Sequence, residues 1–136
     1  MFKIFQKFLF YFKSQTAHGL HSPLVFDLYN QILNPNLNAF NEEKFLNDLK
    51  NYLQQKPEIK DNNILIINNL YNINSSNIEQ NSIVYISNPY ENRNTWAKTK
   101  RLISEPHWIY IIDFFEGILL ITVPLKPRQF FYLRKM

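Results

Sequence analysis

Two short apolar runs constrain the fold of this chain more than any other feature of its sequence. They are ILII at 64–67 and IVYI at 83–86, and both are rich in branched side chains and bounded by Asn, Ser or Pro. Continuous apolar runs of this length, without polar alternation, are typical of strands that are buried on both faces. The sequence therefore predicts an α/β fold in which these two runs are central strands.

The first helix, predicted over residues 2 to about 13, carries a wide apolar face. Its narrow polar stripe consists of Lys3, Gln6, Lys7 and Lys13. A face of this width has to be covered by something. Packing against the body of the protein is the preferred interpretation. Contact with a second copy, or with a membrane surface through residues 1–13, remains an alternative.

A second helix is marked by Ser22 followed by Pro23, which provide an N-cap and a first-turn proline. It is predicted to run to about Leu33 and to stop before Asn34 and Pro35. One face of this helix then gathers four apolar residues: Val25, Leu28, Tyr29 and Ile32.

A third helix is predicted to start at Asn41 and to end at Pro57. Phe40 before the cap and Phe45 after it can form a hydrophobic staple. The predicted buried stripe of this helix contains Phe45, Leu46, Leu49, Tyr52 and Leu53.

The second half of the chain alternates strands with one basic helix. This helix, at about 93–104, separates IVYI from a strand within WIYIIDFF at 108–115, so we expect a crossover onto a parallel neighbouring strand. Gly117 then allows a tight reversal into GILLITV, and FFYL at 130–133 could extend the sheet at its edge.

The predicted architecture is a single α/β domain over residues 1–136. Residues 1–56 form its helical N-terminal part and residues 57–136 its sheet part. The N-terminal helices are followed by a short mixed sheet with one crossover helix and a C-terminal antiparallel hairpin. The chain shows no internal repeat and no linker long enough to divide it into two domains.

Two segments at opposite ends of the chain resemble a single protein family. TAHGLHSPLVFDLYNQIL at 16–33 is similar to an HG-x-HSPFVFD opening, and EPHWIYIIDFFEGILLI at 105–121 with QFFYLRK at 129–135 is similar to a set of closing strands. Both belong to a bacterial family of class I S-adenosylmethionine-dependent methyltransferases. The resemblance implies a truncated, Rossmann-like methyltransferase fold. The matching residues are His18, Gly19, His21, Ser22, Pro23, Phe26 and Asp27, then Asp113, Gly117 and Arg134.

The residues with which such a family holds its methyl donor are missing. Class I methyltransferases place a glycine turn between a buried strand and a helix, so that the backbone can approach the donor. This chain has only Gly19 and Gly117, and neither stands in such a place. After ILII the sequence reads NNLYNINSS, and Ser87 and Asn88 occupy the positions where relatives tend to carry an acidic pair. The resemblance is therefore to an incomplete enzyme.

These departures predict a methyltransferase-like protein without independent catalysis. We expect it to need no cofactor and to act through a protein partner or a second copy, because a shortened sheet leaves an edge and apolar helix faces uncovered. The alternative is an S-adenosylmethionine-dependent methyltransferase whose donor site is completed by a partner or by an atypical loop. We assign no catalytic, cofactor-binding or metal-binding residue, and expect structural roles for the motif residues.

Two small clusters of titratable residues invite chemical interpretations. His18 and His21 could share a metal ion, but the third histidine, His107, lies far along the chain, so a structural role in the turn before the second helix is preferred. Asp113 and Glu116 could form an acid/base pair. At a hairpin turn they are better interpreted as solvated or capping groups.

Charge and cysteine content bound the partners and the compartment. The net charge is +4 and there is no cysteine, which excludes disulfides and fits a cytoplasmic protein, with a position at the periphery of a membrane as the alternative. A nucleic-acid surface is conceivable around Trp96, but a solvated helix with Trp96 turned toward the sheet is preferred, so no specific nucleic acid is expected. The basic residues of that helix are Arg93, Lys98, Lys100 and Arg101.

Overall fold

Helices precede a five-stranded mixed sheet in this α/β structure, as the sequence predicts. The computed structural model describes residues 1–16, 20, 22–56, 64–67, 83–106, 108–122 and 127–135. No helix within these ranges is long and apolar enough to cross a membrane. The helices are α1 (Phe2–Lys13), α2 (Pro23–Leu28), α3 (Asn34–Leu37), α4 (Glu42–Leu53) and α5 (Arg93–Ile103).

The second helix begins as predicted and continues beyond its predicted end. The Ser22 hydroxyl accepts a hydrogen bond from the Val25 N–H at 3.3 Å, which is the expected N-cap. The prediction of an end before Asn34 is wrong, because a π-helical turn over Tyr29–Leu33 joins α2 to α3. In this turn the Asn34 N–H bonds to the Tyr29 carbonyl. The shift places Pro35 in the first turn of α3, where its missing N–H costs no hydrogen bond.

The start of α4 confirms its predicted cap and staple. The Asn41 side chain accepts from the Lys44 N–H at 3.0 Å, and the rings of Phe40 and Phe45 lie 5.6 Å apart. Within the predicted stripe, Leu46 is only partly buried, and the fully buried members are Phe45, Leu49, Tyr52 and Leu53.

The sheet contains parallel and antiparallel pairs. In spatial order its strands run β1-β2-β4-β3-β5. The pairs β1/β2 and β3/β5 are parallel, whereas β4 is antiparallel to both of its neighbours. The strands are β1 (Ile64–Ile67), β2 (Ile83–Ser87), β3 (Tyr110–Asp113), β4 (Gly117–Ile121) and β5 (Gln129–Tyr132).

The crossover through α5 does not place β3 beside β2, so this part of the prediction is wrong. The hairpin predicted at Gly117 does form, with Asp113 opposite Ile118 across β3 and β4. Because the chain reverses within a few residues there, the returning strand β4 reaches β2 first, with Gly117 opposite Ser87. The strand β3 therefore lies one position further along, and the predicted edge strand β5 pairs with its far side.

Both faces of the sheet are covered by helices. On one face, alternate residues of the strands join the apolar sides of α2, α3 and α4 in the larger core cluster. On the other face, the remaining strand residues pack with α5 and with Trp108 in a second cluster. The central strands β2, β3 and β4 are buried except at Ser87, as expected of strands covered on two sides. The prediction that ILII is also a central strand is wrong, because β1 lies at the edge of the described sheet, where Ile66 is 36% exposed.

Candidate functional site

Asp113, at the end of β3, is a buried carboxylate held by two donors. Its side chain is 2% exposed. The Tyr90 hydroxyl donates to its Oδ2, and the Phe115 N–H donates to its Oδ1 at 2.9 Å. Of the two roles expected at this turn, the structure shows the capping one, and Asp113 is not solvated. Glu116, its proposed acid/base partner, stands partly exposed at the turn.

The turn after Asp113 presents an aromatic wall. Phe115 has a φ of 71°, which residues other than glycine seldom adopt, and the hydrogen bond from its N–H to the Asp113 side chain stabilises this conformation. Its ring stacks on Tyr90 at 4.9 Å, and Tyr90 in turn lies 4.5 Å from Trp96. Sequence analysis missed Tyr90 and Phe115. The one available signal was that an acid ending a buried strand needs a nearby donor.

Burial changes the protonation of this cluster. It raises the pKa of Asp113 to about 6, although the hydrogen bonds from Tyr90 and Phe115 act in the opposite direction. Burial also raises the pKa of Tyr90, and the negative charge of Asp113 raises it further. A carboxyl with this pKa can exchange a proton near neutral pH, but Asp113 lies behind the rings of Tyr90 and Phe115. The arrangement supports a structural cap better than a catalytic acid.

The helix α1 rests on this aromatic wall through a narrow stripe. Phe10 is its one buried residue, and its ring lies 5.6 Å from Phe115 and 6.4 Å from Tyr132. Lys7 lies over the Phe115 ring at 5.9 Å, and Lys13 lies over the Tyr132 ring at 4.4 Å. The side of α1 that meets the protein therefore carries Phe2, Gln6 and Phe10, its least exposed residues, and the lysines are exposed beside it.

The residues that follow α1 fix its position. The Gln15 N–H donates to the Tyr132 carbonyl at 2.7 Å, and the Arg134 N–H donates to the Gln15 carbonyl at 3.0 Å. Gln15 thereby forms a parallel bridge with Leu133, beside β5. At the other end of the helix, the Lys3 ammonium donates to the Asn88 side chain at 3.1 Å. Both ends of α1 are thus tied to the sheet.

The opposite side of α1 is apolar and uncovered. Phe8 and Phe12 pack edge to face on each other at 4.9 Å, and no other part of the described chain covers either ring. The preferred prediction, that the apolar face packs on the body of the protein, is wrong for most of α1, because the cation–π contacts and Phe10 occupy that side. The exposed fractions on this outward face are Ile4 71%, Phe5 59%, Phe8 61%, Leu9 42%, Tyr11 64% and Phe12 72%.

The first family motif lies elsewhere. Asp27 joins α2 to the end of α4, because it accepts from the Tyr52 hydroxyl at 2.7 Å and forms an ion pair with Lys56 at 2.9 Å. The bond from Lys56 is the main cause of its lowered pKa. Ser22 and Pro23 cap and start α2, and Phe26 is 45% exposed. The motif residues His18, Gly19 and His21 lie outside the described ranges, as does His107.

Arg134, from the closing motif, lies close to α1. Its guanidinium stands 4.9 Å from the Tyr11 ring, and its backbone carbonyl accepts from the Tyr29 hydroxyl at 2.6 Å. The structure therefore gathers Asp113, Gly117 and Arg134 around the end of the sheet near α1. Asp27 is held instead between α2 and α4.

Gly117 cannot serve as a donor-loop glycine. A Cβ atom at this position would overlap the Tyr85 ring, so the space beside its backbone is filled by protein. Asn88, in the place of a family acid, has a φ of 54° and bonds to Lys3. The segment NNLYNINSS at 68–76 lies outside the described residues. The residues that are described do not fit S-adenosylmethionine.

The other candidate sites gain no support. Trp96 is partly buried against Tyr90 and the sheet, which confirms the preferred interpretation of α5. Lys100 stands over the outer side of its ring at 5.8 Å. Within the described ranges, no three His, Cys, Asp or Glu residues are grouped so as to hold a metal ion.

The raised pKa of Asp113 predicts a specific pH dependence of stability. Between pH 3.8 and about 6 the unfolded chain has released this proton while the folded chain still holds it, so stability falls as pH rises through that window. The expected loss is on the order of 3 kcal/mol. In urea titrations at several pH values, Asp113→Asn should lack this component.

Asp27→Asn is the matched control, because the pKa of Asp27 is lowered in the folded state. Asp27 contributes stability that is lost as pH falls, so its replacement should change the profile with the opposite sign. Superimposable pH profiles for Asp113→Asn and the wild type would show that Asp113 is not buried in this way.

Comparisons with known proteins identify no relative of this chain. No family model, no curated protein and no solved structure matches this chain. The likeness to class I methyltransferases therefore rests on the two end motifs of the sequence. The most distinctive feature of the structure is one that those motifs do not include, namely the outward face of α1.

Proposed function

We propose that this chain is a methyltransferase-like protein without catalysis of its own, and that it acts by binding another surface through the outward face of α1. The observation that carries the proposal is the exposure of six large apolar side chains on a helix whose other side is fixed to the sheet. The end motifs support the methyltransferase likeness. The hairpin β3–Gly117–β4 has the order of elements that the closing motif implies.

The size of the outward face supports a binding role. Four of the six side chains are aromatic, a type that buries about 150–250 Å² each, so at their exposed fractions the six together expose roughly 700 Å². The largest apolar patch on a typical monomer is about 300–600 Å², and patches at the upper end are usually functional. The strand β1 adds a smaller exposed site, because Ile66 at the sheet edge is 36% exposed.

The absence of independent catalysis is supported by two features. The only glycine among the described residues, Gly117, faces Tyr85 and not an open space. Asp113, whose pKa is raised to about 6, is enclosed by Tyr90 and Phe115. Among the described residues, neither position offers a methyl donor an open stretch of backbone or an acceptor an accessible base.

Binding through α1 predicts self-association when no other surface is available. At tens of micromolar protein and high salt, which screens the lysines, light scattering should give a mass above the 16.4 kDa of one chain. The double variant Phe8→Ser/Phe12→Ser should remain a monomer. Phe130→Ser, which alters a 47% exposed phenylalanine on β5, is the matched control and should behave like the wild type. A wild type that behaves like Phe8→Ser/Phe12→Ser, staying monomeric at every salt concentration and binding no lipid vesicle, would contradict the proposal.

The proposal that the chain has no catalysis of its own predicts that S-adenosylmethionine does not stabilise it. A ligand at a hundred times its dissociation constant stabilises a protein by about 2.7 kcal/mol, which is a visible shift of the melting temperature for 136 residues. We expect no shift with millimolar S-adenosylmethionine or its demethylated product. A clear shift would favour the alternative, a methyltransferase with an atypical donor loop.

A further inference from the structure

We infer that the surface bound by α1 is an anionic membrane, on which the helix lies in the plane of the lipid headgroups with its outward face among the acyl chains. This inference rests on the proposed binding role of α1 and names its partner. Its support is the arrangement of apolar and basic groups around the helix.

The geometry of α1 suits a helix that lies on a membrane. At 1.5 Å per residue its 12 residues are about 18 Å long, which is shorter than the roughly 30 Å hydrocarbon core of a bilayer. The outward face is rich in aromatic residues, the type that is favoured at the boundary between headgroups and acyl chains. Because Phe10 and Gln15 fix the helix to the sheet, this face is presented without any rearrangement.

Basic side chains surround the outward face. Lys3, Lys7 and Lys13 are exposed along the border between α1 and the rest of the protein, and α1 contains no acidic residue. An arginine stands near each end of the helix: Arg93 is 5.9 Å from the Phe2 ring, and Arg134 is 4.9 Å from the Tyr11 ring. Anionic headgroups would meet positive charge along the whole length of the helix.

Lys100 extends this basic border on α5. Together with Arg93 it lines a groove between α5 and the first turns of α1, beside Phe5 and Trp96. Two acids, Glu91 and Glu116, lie near this border. Glu91 accepts from the Asn88 side chain, and Glu116 lies partly buried beside Lys7 and Arg134 in the hollow between α1 and the β3–β4 turn.

The same charges disfavour a second copy as the usual partner. Two copies joined face to face through α1 would bring two sets of lysines and arginines together, and α1 offers no carboxylate to pair with them. Such a contact would be strengthened by salt, which screens repulsion. Binding to anionic lipid should instead be weakened by salt, so the two partners give opposite salt dependences.

Co-flotation of the full chain with vesicles tests the inference. Vesicles of phosphatidylcholine with 30% phosphatidylserine should bind the chain at least tenfold more tightly than pure phosphatidylcholine vesicles, because two basic contacts alone correspond to roughly thirtyfold. Raising the salt from about 0.1 M to about 0.5 M should release the chain, because it shortens the Debye length. The variant Lys3→Gln/Lys7→Gln should lose most of the preference for anionic vesicles.

Two further variants separate this face from the rest of the surface. Phe8→Ser/Phe12→Ser should abolish flotation while keeping the wild-type circular dichroism spectrum, and Phe130→Ser should float like the wild type. Flotation that survives Phe8→Ser/Phe12→Ser, or that is equal on neutral vesicles, would overturn the inference. A chain that self-associates through Phe8 and Phe12 but ignores anionic vesicles would also overturn it, and would leave the proposed binding role of α1 standing.

Discussion

The contact between Phe10 and the aromatic wall at the end of the sheet determines which side of α1 faces outward. That wall depends on Asp113, because its bonds from the Phe115 N–H and the Tyr90 hydroxyl hold both rings in place. Phe115 sits there in a left-handed conformation that the carboxylate stabilises locally. A buried acid at the end of β3 thus connects the sheet to the orientation of the N-terminal helix.

This orientation inverts the usual arrangement of a surface helix, in which the apolar side meets the protein and the polar side meets water. Here two exposed lysines flank the inward side and lie over the rings of Phe115 and Tyr132, and Phe5, Phe8 and Phe12 lie outward. Leaving such a face in water is unfavourable, which is the physical basis of the proposal that α1 binds another surface. The basic border around it favours a partner of negative charge.

Sequence reasoning predicted the features that depend on neighbouring residues. The cap at Ser22, the staple of Phe40 and Phe45, the buried strands and the hairpin at Gly117 all follow from local patterns. It could not predict features that depend on contacts between distant segments. The π turn before Pro35, the insertion of β4 beside β2 and the partner of Asp113 are of this kind. The outward face of α1 belongs with them, because a pattern of lysines and phenylalanines shows two sides of a helix and does not show which one meets the sheet.

The orientation of α1 can be measured directly with a thiol reagent, since the chain contains no cysteine. Single variants Phe8→Cys and Phe10→Cys would be compared at low protein concentration and low salt, with the unfolded chains as reference. The account predicts that the thiol at position 8 reacts nearly as fast as in the unfolded chain, and that the thiol at position 10 reacts at least about tenfold more slowly, as opening of a packed contact requires. Equal rates at the two positions, or protection at position 8 alone, would contradict it.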